Sequence, residues 1–148
     1  MINPGCPLGT RLSQLVAQVN HALRSRIEVV LRPYGLTAIQ YSILDLLAQQ
    51  DGPSSADLSR HFLVTPQTMG EMIGTLESRH LVARRKDPHN RRVLRLGLTA
   101  EATAVLQRCG GEVDRIEEEV FGTLALEDLE RLRIALAALA EAGSEHAA

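Results

Sequence analysis

The chain has 148 residues, 45 % apolar, 3 % aromatic and 23 % charged, with a formal net charge of −2. That length suits one domain, or one domain with a dimerisation arm. The composition excludes a disordered chain and calls for a core of Leu, Val, Ile and Ala. Two cysteines, Cys6 and Cys109, are too few for a disulfide framework and lack zinc-ligand spacing, and no apolar run approaches the roughly 18 residues of a membrane span. Met1-Ile2-Asn3-Pro4-Gly5 has neither the basic start nor the apolar run of a signal peptide, so the expected location is cytoplasmic.

Leu8, Leu12, Leu15, Val16, Val19, Leu23, Ile27, Val30 and Leu31 recur at helical spacing and predict a first helix of about six turns, stopped by Pro33-Tyr34-Gly35. Thr37, with Gln40 three residues on, is a capping box opening a second helix that carries Ile43, Leu44 and Leu47 and ends at Asp51-Gly52-Pro53. Ser54 with Asp57 opens a short third helix bearing Leu58 and Phe62. Thr65-Pro66 then offers an N-cap followed by proline at the first helical position, where its missing N–H costs nothing. The fourth helix places Met69, Met72, Ile73 and Leu76 on one stripe. Two helices joined by Phe62-Leu63-Val64 form the pattern of a helix-turn-helix.

Leu81–Lys86 and the alternating run Arg91–Leu98 flank Asp87-Pro88-His89-Asn90, whose residues are turn formers; together they predict a β-hairpin, a wing, with Leu94, Leu96 and Leu98 on one face. Thr99 caps a fifth helix with Val105, Leu106, Cys109, Val113, Ile116 and Val120 on one side, and Gly110-Gly111 within it predicts a bend or a close helix contact. A last helix carries Leu129, Leu132, Leu136 and Leu139. The expected fold is mainly α with a small β-wing: six helices plus a hairpin, a winged helix-turn-helix.

The charge is distributed unevenly. Arg79, Arg84, Arg85, Lys86, Arg91, Arg92 and Arg95 face one acid, Asp87, so this window carries +6 and the remainder −8. Solvated charge runs mix both signs; this one reads as an anion-binding surface. With Met69 facing the core, the opposite side of the fourth helix holds Gln67, Glu71, Gly74 and Ser78, flanked by Thr68, Gly70 and Thr75. Each glycine costs about 1 kcal/mol against alanine in a helix. Either the backbone is kept bare to approach a DNA groove, or the glycines ease packing against a neighbouring helix. Gln67 suits a bidentate contact to adenine and Glu71 can accept from the cytosine amino group, while Thr65 and Thr68 reach phosphate or a thymine methyl.

Leu36-Thr37-Ala38-Ile39-Gln40-Tyr41, the helix-turn-helix, and Asp87-Pro88-His89-Asn90-Arg91-Arg92 followed by Leu98-Thr99 resemble the MarR family of bacterial transcription regulators. Ala102 departs from that pattern, where glycine is common. The resemblance implies the winged-helix fold, a dimer built from both chain termini and double-stranded operator DNA as partner; the residues themselves show no P-loop, dinucleotide fingerprint or nucleophile elbow, so no enzymatic activity is expected. It also implies that Asp87 braces the wing arginine, Arg91, which enters the minor groove, where a narrow groove concentrates negative potential. The residues expected at DNA are thus Ser54, Thr65, Gln67, Thr68, Gly70, Glu71, Gly74, Thr75, Arg84, Arg85, Lys86, Asp87, Arg91 and Arg92. Residues 1–35 and 99–148 are expected to dimerise and 36–98 to form the DNA-binding lobe, giving a homodimer that represses from a pseudo-palindromic operator. A winged-helix module for an acidic protein partner is the alternative.

Many members of the family are released from DNA by small phenolic or anionic ligands, held between the first two helices and the DNA-binding lobe. His21, Arg24, Tyr34 and Tyr41 are the candidates by location. No cofactor or metal site is expected: His21, His61, His80, His89 and His146 are scattered. Cys6 invites comparison with a peroxide-sensing branch of the family, but between Gly5 and Pro7 nothing fixed lowers its pKa. Cys109 reads as inert core or interface, and Glu112, Asp114, Glu117, Glu118 and Glu119 as a solvated face kept away from phosphates.

Overall fold

The computed structural model describes residues 11–146, with side chains to 143. Leu8, expected in the first helix, and Cys6 lie outside these residues. In chain order the elements are α1 (Leu12–Leu31), a 3₁₀ turn (Arg32–Tyr34), α2 (Ala38–Gln49), α3 (Ser55–Phe62), α4 (Pro66–Ser78), β1 (Val82–Lys86), β2 (Leu94–Leu98), α5 (Ala100–Phe121) and α6 (Leu126–His146).

Local chemistry sets most boundaries. Thr37 Oγ1 accepts the N–H of Gln40 at 3.3 Å while Gln40 Oε1 accepts that of Thr37 at 3.1 Å. The same reciprocal pair joins Ser54 and Asp57 at the start of α3, at 3.2 and 2.8 Å, satisfying donors that a helix start leaves orphaned. Gly35, at φ +62°, takes the left-handed backbone that turns the chain out of the 3₁₀ segment. Leu63 does the same at φ +53° between α3 and α4, at the strain expected of a non-glycine residue.

Leu31, Ile43, Leu44, Leu58, Met69, Ile73, Leu76 and Leu96 are fully buried and join α1, α2, α3, α4 and the wing in one core, each burial stabilising by about 1.5–3 kcal/mol. β1 and β2 pair antiparallel, Val82 opposite Leu98 and Lys86 opposite Leu94. Beyond them Ser54 bridges to Arg95, and Leu96 N–H donates to Pro53 O at 3.0 Å, so the start of α3 is stitched to the wing. β2 begins at Leu94, three residues later than the alternation predicts, because Asn90–Val93 form part of the turn, with Val93 N–H donating to Asn90 O at 2.9 Å. Leu94 is accordingly exposed, whereas Leu96 is buried.

α5 runs unbroken through Gly110-Gly111. The close contact is at Gly110, where an added Cβ would lie 3.7 Å from the Tyr41 hydroxyl of α2. Cys109 is buried, donates to Val105 O at 3.1 Å and has its pKa raised by burial, a core thiol. α6 buries little against its own chain: Leu126, Ile134, Leu136 and Leu139 are exposed, as are Leu12, Val16 and Val19 of α1.

Candidate nucleic-acid interface

α4 starts at Thr65, whose Oγ1 accepts the Thr68 N–H at 3.1 Å. Met69, Ile73 and Leu76 turn inward, which places Gln67, Thr68, Glu71, Gly74 and Thr75 in solvent with Gly70 at the edge of that face. A Cβ added to Gly70 or Gly74 would meet no atom within 4 Å. Packing against a neighbouring helix therefore does not explain either glycine, and both spend helix stability on an open surface. The side chains that are present fold back on the helix: Gln67 Nε2 donates to Glu71 Oε1 at 3.2 Å, Thr75 Oγ1 to Glu71 O at 2.9 Å and Ser78 Oγ to Thr75 O at 2.8 Å. The face has a low profile and is lined with donors and acceptors.

The wing is held by one carboxylate. Asp87 is 7 % exposed; its Oδ1 accepts the N–H groups of His89 and Asn90 at 2.7 and 3.0 Å, and its Oδ2 accepts Arg95 Nε at 2.6 Å. The Arg95 bond first, and then the two backbone N–H groups, hold this carboxyl below the usual carboxylate range. The expectation that Asp87 braces Arg91 is corrected: its partner is Arg95. Arg95 sits on β2 and reaches back across the turn, also donating to Gly52 O at 3.3 Å, whereas Arg91 precedes the strand and is exposed. Asp87 thus shapes the wing from within.

The basic window sorts in the same way. Arg79 donates to the carbonyls of Gly35 and Tyr34, both at 2.6 Å, closing the end of the 3₁₀ turn. Arg84, counted in that window as part of the anion-binding surface, pairs with Glu77 at 2.8 Å. Arg85, Lys86, Arg91 and Arg92 remain, exposed and without an acidic partner among the described residues. Because Glu77 lies in the last turn of α4, the Arg84 pair fastens the wing beside the bare helix face. Ser54, also expected at DNA, has its hydroxyl engaged with Asp57 Oδ2 at 2.7 Å as the cap of α3.

The expected ligand residues do not come together. His21 is exposed on α1, Arg24 pairs with Glu28 at 2.9 Å, and Tyr34 belongs to the 3₁₀ turn. Tyr41 alone lines a cleft, of about 490 Å³, between α1, α2, α3 and α5. Asp45, Gln49, His61 and Glu117 line it too and were not anticipated, although Tyr41, Asp45 and Gln49 recur every four residues, a polar stripe on a helix otherwise read for its apolar one. The acids of α5 are exposed, but not only solvated: Glu117 borders this cleft and Glu119 pairs with Arg26.

The MarR family model matches residues 36–94, the helix-turn-helix and most of the wing. The HTH-type transcriptional repressor Rv2887 of Mycobacterium tuberculosis is 35 % identical over 113 residues, 76 % of this chain and 81 % of that protein. The chain belongs to the MarR family. It is a transcription regulator and not an enzyme. The crystal structure of Rv2887 in complex with DNA, 32 % identical, superposes with a TM-score of 0.67 over 88 % of this chain and 98 % of the other. CouR from Rhodococcus jostii RHA1, solved with p-coumaroyl-CoA, shares the fold at a TM-score of 0.81 and 24 % identity, covering 87 % of this chain and 91 % of that one. The winged helix-turn-helix reading holds, and Ala102, the departure from the family pattern, is a buried residue in the first turn of α5.

Proposed function

We propose that this MarR-family chain is a homodimeric repressor, acting in the cytoplasm, that sets α4 in the major groove and the wing in the adjacent minor groove of a pseudo-palindromic operator. The observation that carries the reading is an open, glycine-bearing face on α4, a helix that the Glu77–Arg84 ion pair ties to the wing bearing the exposed cations Arg85, Lys86, Arg91 and Arg92. Gln67, Glu71, Thr68 and Thr75 supply short groups for base edges and phosphates, and the wing supplies sequence-independent attraction. Thr65 acts as the cap that orients the helix, and Asp87, Arg84 and Ser54 act as the frame. Rv2887, crystallised with DNA, supports the assignment by its likeness.

Residues 36–98 form the DNA-binding lobe, and the flanking segments dimerise. Exposed Leu12, Val16 and Val19 on α1 and Ile134, Leu136 and Leu139 on α6 find cover in a second copy, which places two recognition helices about one DNA turn apart. Rv2887 has also been crystallised with salicylic acid, and a small-molecule effector acting through the cleft at Tyr41 fits the same scheme. A protein-binding wing has no use for an α4 face kept free of bulk, which weighs against the interaction-module alternative. In a gel shift against the DNA upstream of its own gene, the protein is expected to retain one band under excess random competitor. Binding no tighter than to random duplex at low salt overturns the reading.

A further inference from the structure

We infer that Arg79 is a positioning residue: its guanidinium fixes the angle of α4 relative to α1 and α5, the helices proposed to dimerise, and so sets the half-site spacing that a dimer accepts. Arg79 caps the C-terminal end of α4. Its Nη1 donates to Gly35 O and its Nη2 to Tyr34 O, both at 2.6 Å. Those carbonyls close the 3₁₀ turn that continues α1, where a helical run ends in unpaired acceptors and partial negative charge. Two bonds from one planar group define an orientation as well as a distance, whereas a lysine ammonium is a point charge. The seat is kept free of bulk, since a Cβ on Gly35 would stand 3.4 Å from Arg79 Nη2.

The neighbouring residues make this end of α4 a joint. His80 follows at φ +56°, a left-handed backbone that a non-glycine residue keeps only where its surroundings over-determine it. Those surroundings are Thr99, the N-cap of α5: its Oγ1 donates to His80 O at 2.6 Å and its N–H to Leu81 O at 3.2 Å. Glu77 pairs with Arg84 of β1. The end of α1, the start of α5 and the wing thus all bond to residues 77–81. Burial of Met69, Ile73 and Leu76 holds α4 to the core, but apolar burial has no direction of its own. The polar bonds at the joint supply one, and the fork of Arg79 is the part of it that reaches α1.

The consequence for DNA rests on the repressor reading; the geometry of the joint rests only on the dimer. The full chain and its Arg79→Lys and Arg79→Gln variants are titrated with the upstream DNA and with the same duplex one base pair longer or shorter at its centre, a change of about 3.4 Å and about 34° between half-sites. A wrongly spaced site is bound only by bending the joint. The parent should therefore discriminate against it, and both variants should lose about tenfold of that discrimination, the size of one charge-assisted hydrogen bond. A contact that merely stabilised the fold would weaken all spacings alike and leave the ratio fixed. Without DNA, a nitroxide at Gln67→Cys, in chains that also carry Cys6→Ser and keep the buried Cys109, reports the distance between the two α4 helices of a dimer. That distribution should be narrow in the parent and broader in both variants, with melting temperature verifying that each folds. Unchanged ratio and width in both variants, an Arg79→Lys protein that matches the parent in both, or the absence of any distance between two copies overturns the inference. The broadening without preference for the upstream DNA over random duplex sinks the repressor reading and leaves this one standing; that preference with unchanged ratio and width does the reverse.

Discussion

α4 and α6 are both amphipathic helices with a wide solvent-facing side, and those sides were built to opposite specifications. On α4 the exposed positions include glycine, threonine, glutamine and glutamate, and the helix is tied by the Glu77–Arg84 ion pair to the wing that carries the exposed cations. On α6 they include Leu126, Ile134 and Leu139 at 86, 62 and 67 % exposure. An isolated chain gains from neither arrangement: bare glycine lowers helix stability and exposed leucine leaves apolar surface in water. The difference fits the two roles proposed for these sides: a polyanion of fixed shape needs a slim, polar surface, and a second copy of the chain needs an apolar one.

The comparison breaks first at α6. Leu136→Glu with Leu139→Glu is expected to dissociate the proposed dimer and, by uncoupling two half-sites, to lower operator affinity by about two orders of magnitude or more. Sedimentation and gel shift on one preparation check it; a stable dimer in that variant would remove α6 from the interface. Next comes α4. Gly70→Leu has open space to occupy, so melting temperature should hold while operator affinity falls by about tenfold to a hundredfold. Gly70→Ala is the sharper test, since it should stabilise the protein by up to about 1 kcal/mol and still weaken DNA binding. Retained affinity in both variants would mean that this face does not enter the groove. Smaller again is Arg91→Ala, expected to weaken all duplexes alike and to reduce the salt dependence of binding by about one unit. An unchanged slope would take Arg91 off the DNA.

Helix starts were legible in the sequence because their chemistry is local: Thr37 with Gln40, Ser54 with Asp57 and Thr65 with Pro66 each act within four residues. The fate of the arginines was not. Arg79 is spent on carbonyls more than forty residues away, Arg95 on Asp87 and Gly52, and Arg84 on Glu77, and no pattern in a single strand or helix announces such partners. Of the seven basic residues that marked the wing, these contacts leave Arg85, Lys86, Arg91 and Arg92 to meet an anion. The ligand residues failed for a related reason. Location along α1 placed His21 and Arg24 near a cleft they do not line, whereas the stripe Tyr41–Asp45–Gln49 only acquires meaning once α5 lies across it.

The last and smallest effect concerns acids in these two regions, and it carries opposite signs. Asp87 has its pKa lowered by Arg95 and by two backbone N–H groups, so its contribution to stability is fully present above the ordinary carboxylate value near 3.9 and is lost as pH falls through the lower folded-state value. Asp45 has its pKa raised by burial and by Asp114, so it costs stability once pH has risen from the ordinary value through the higher folded-state one. Urea midpoints measured at steps from pH 3 to 7 should therefore separate two isosteric variants. Asp87→Asn should lose stability at neutral pH and converge on the parent in acid. Asp45→Asn should gain stability at neutral pH and likewise converge. Gains in both, or losses in both, would mean that wing frame and cleft do not hold their carboxylates in opposed environments. The cleft would then lose the electrostatic character that distinguishes it from the rest of the acidic surface.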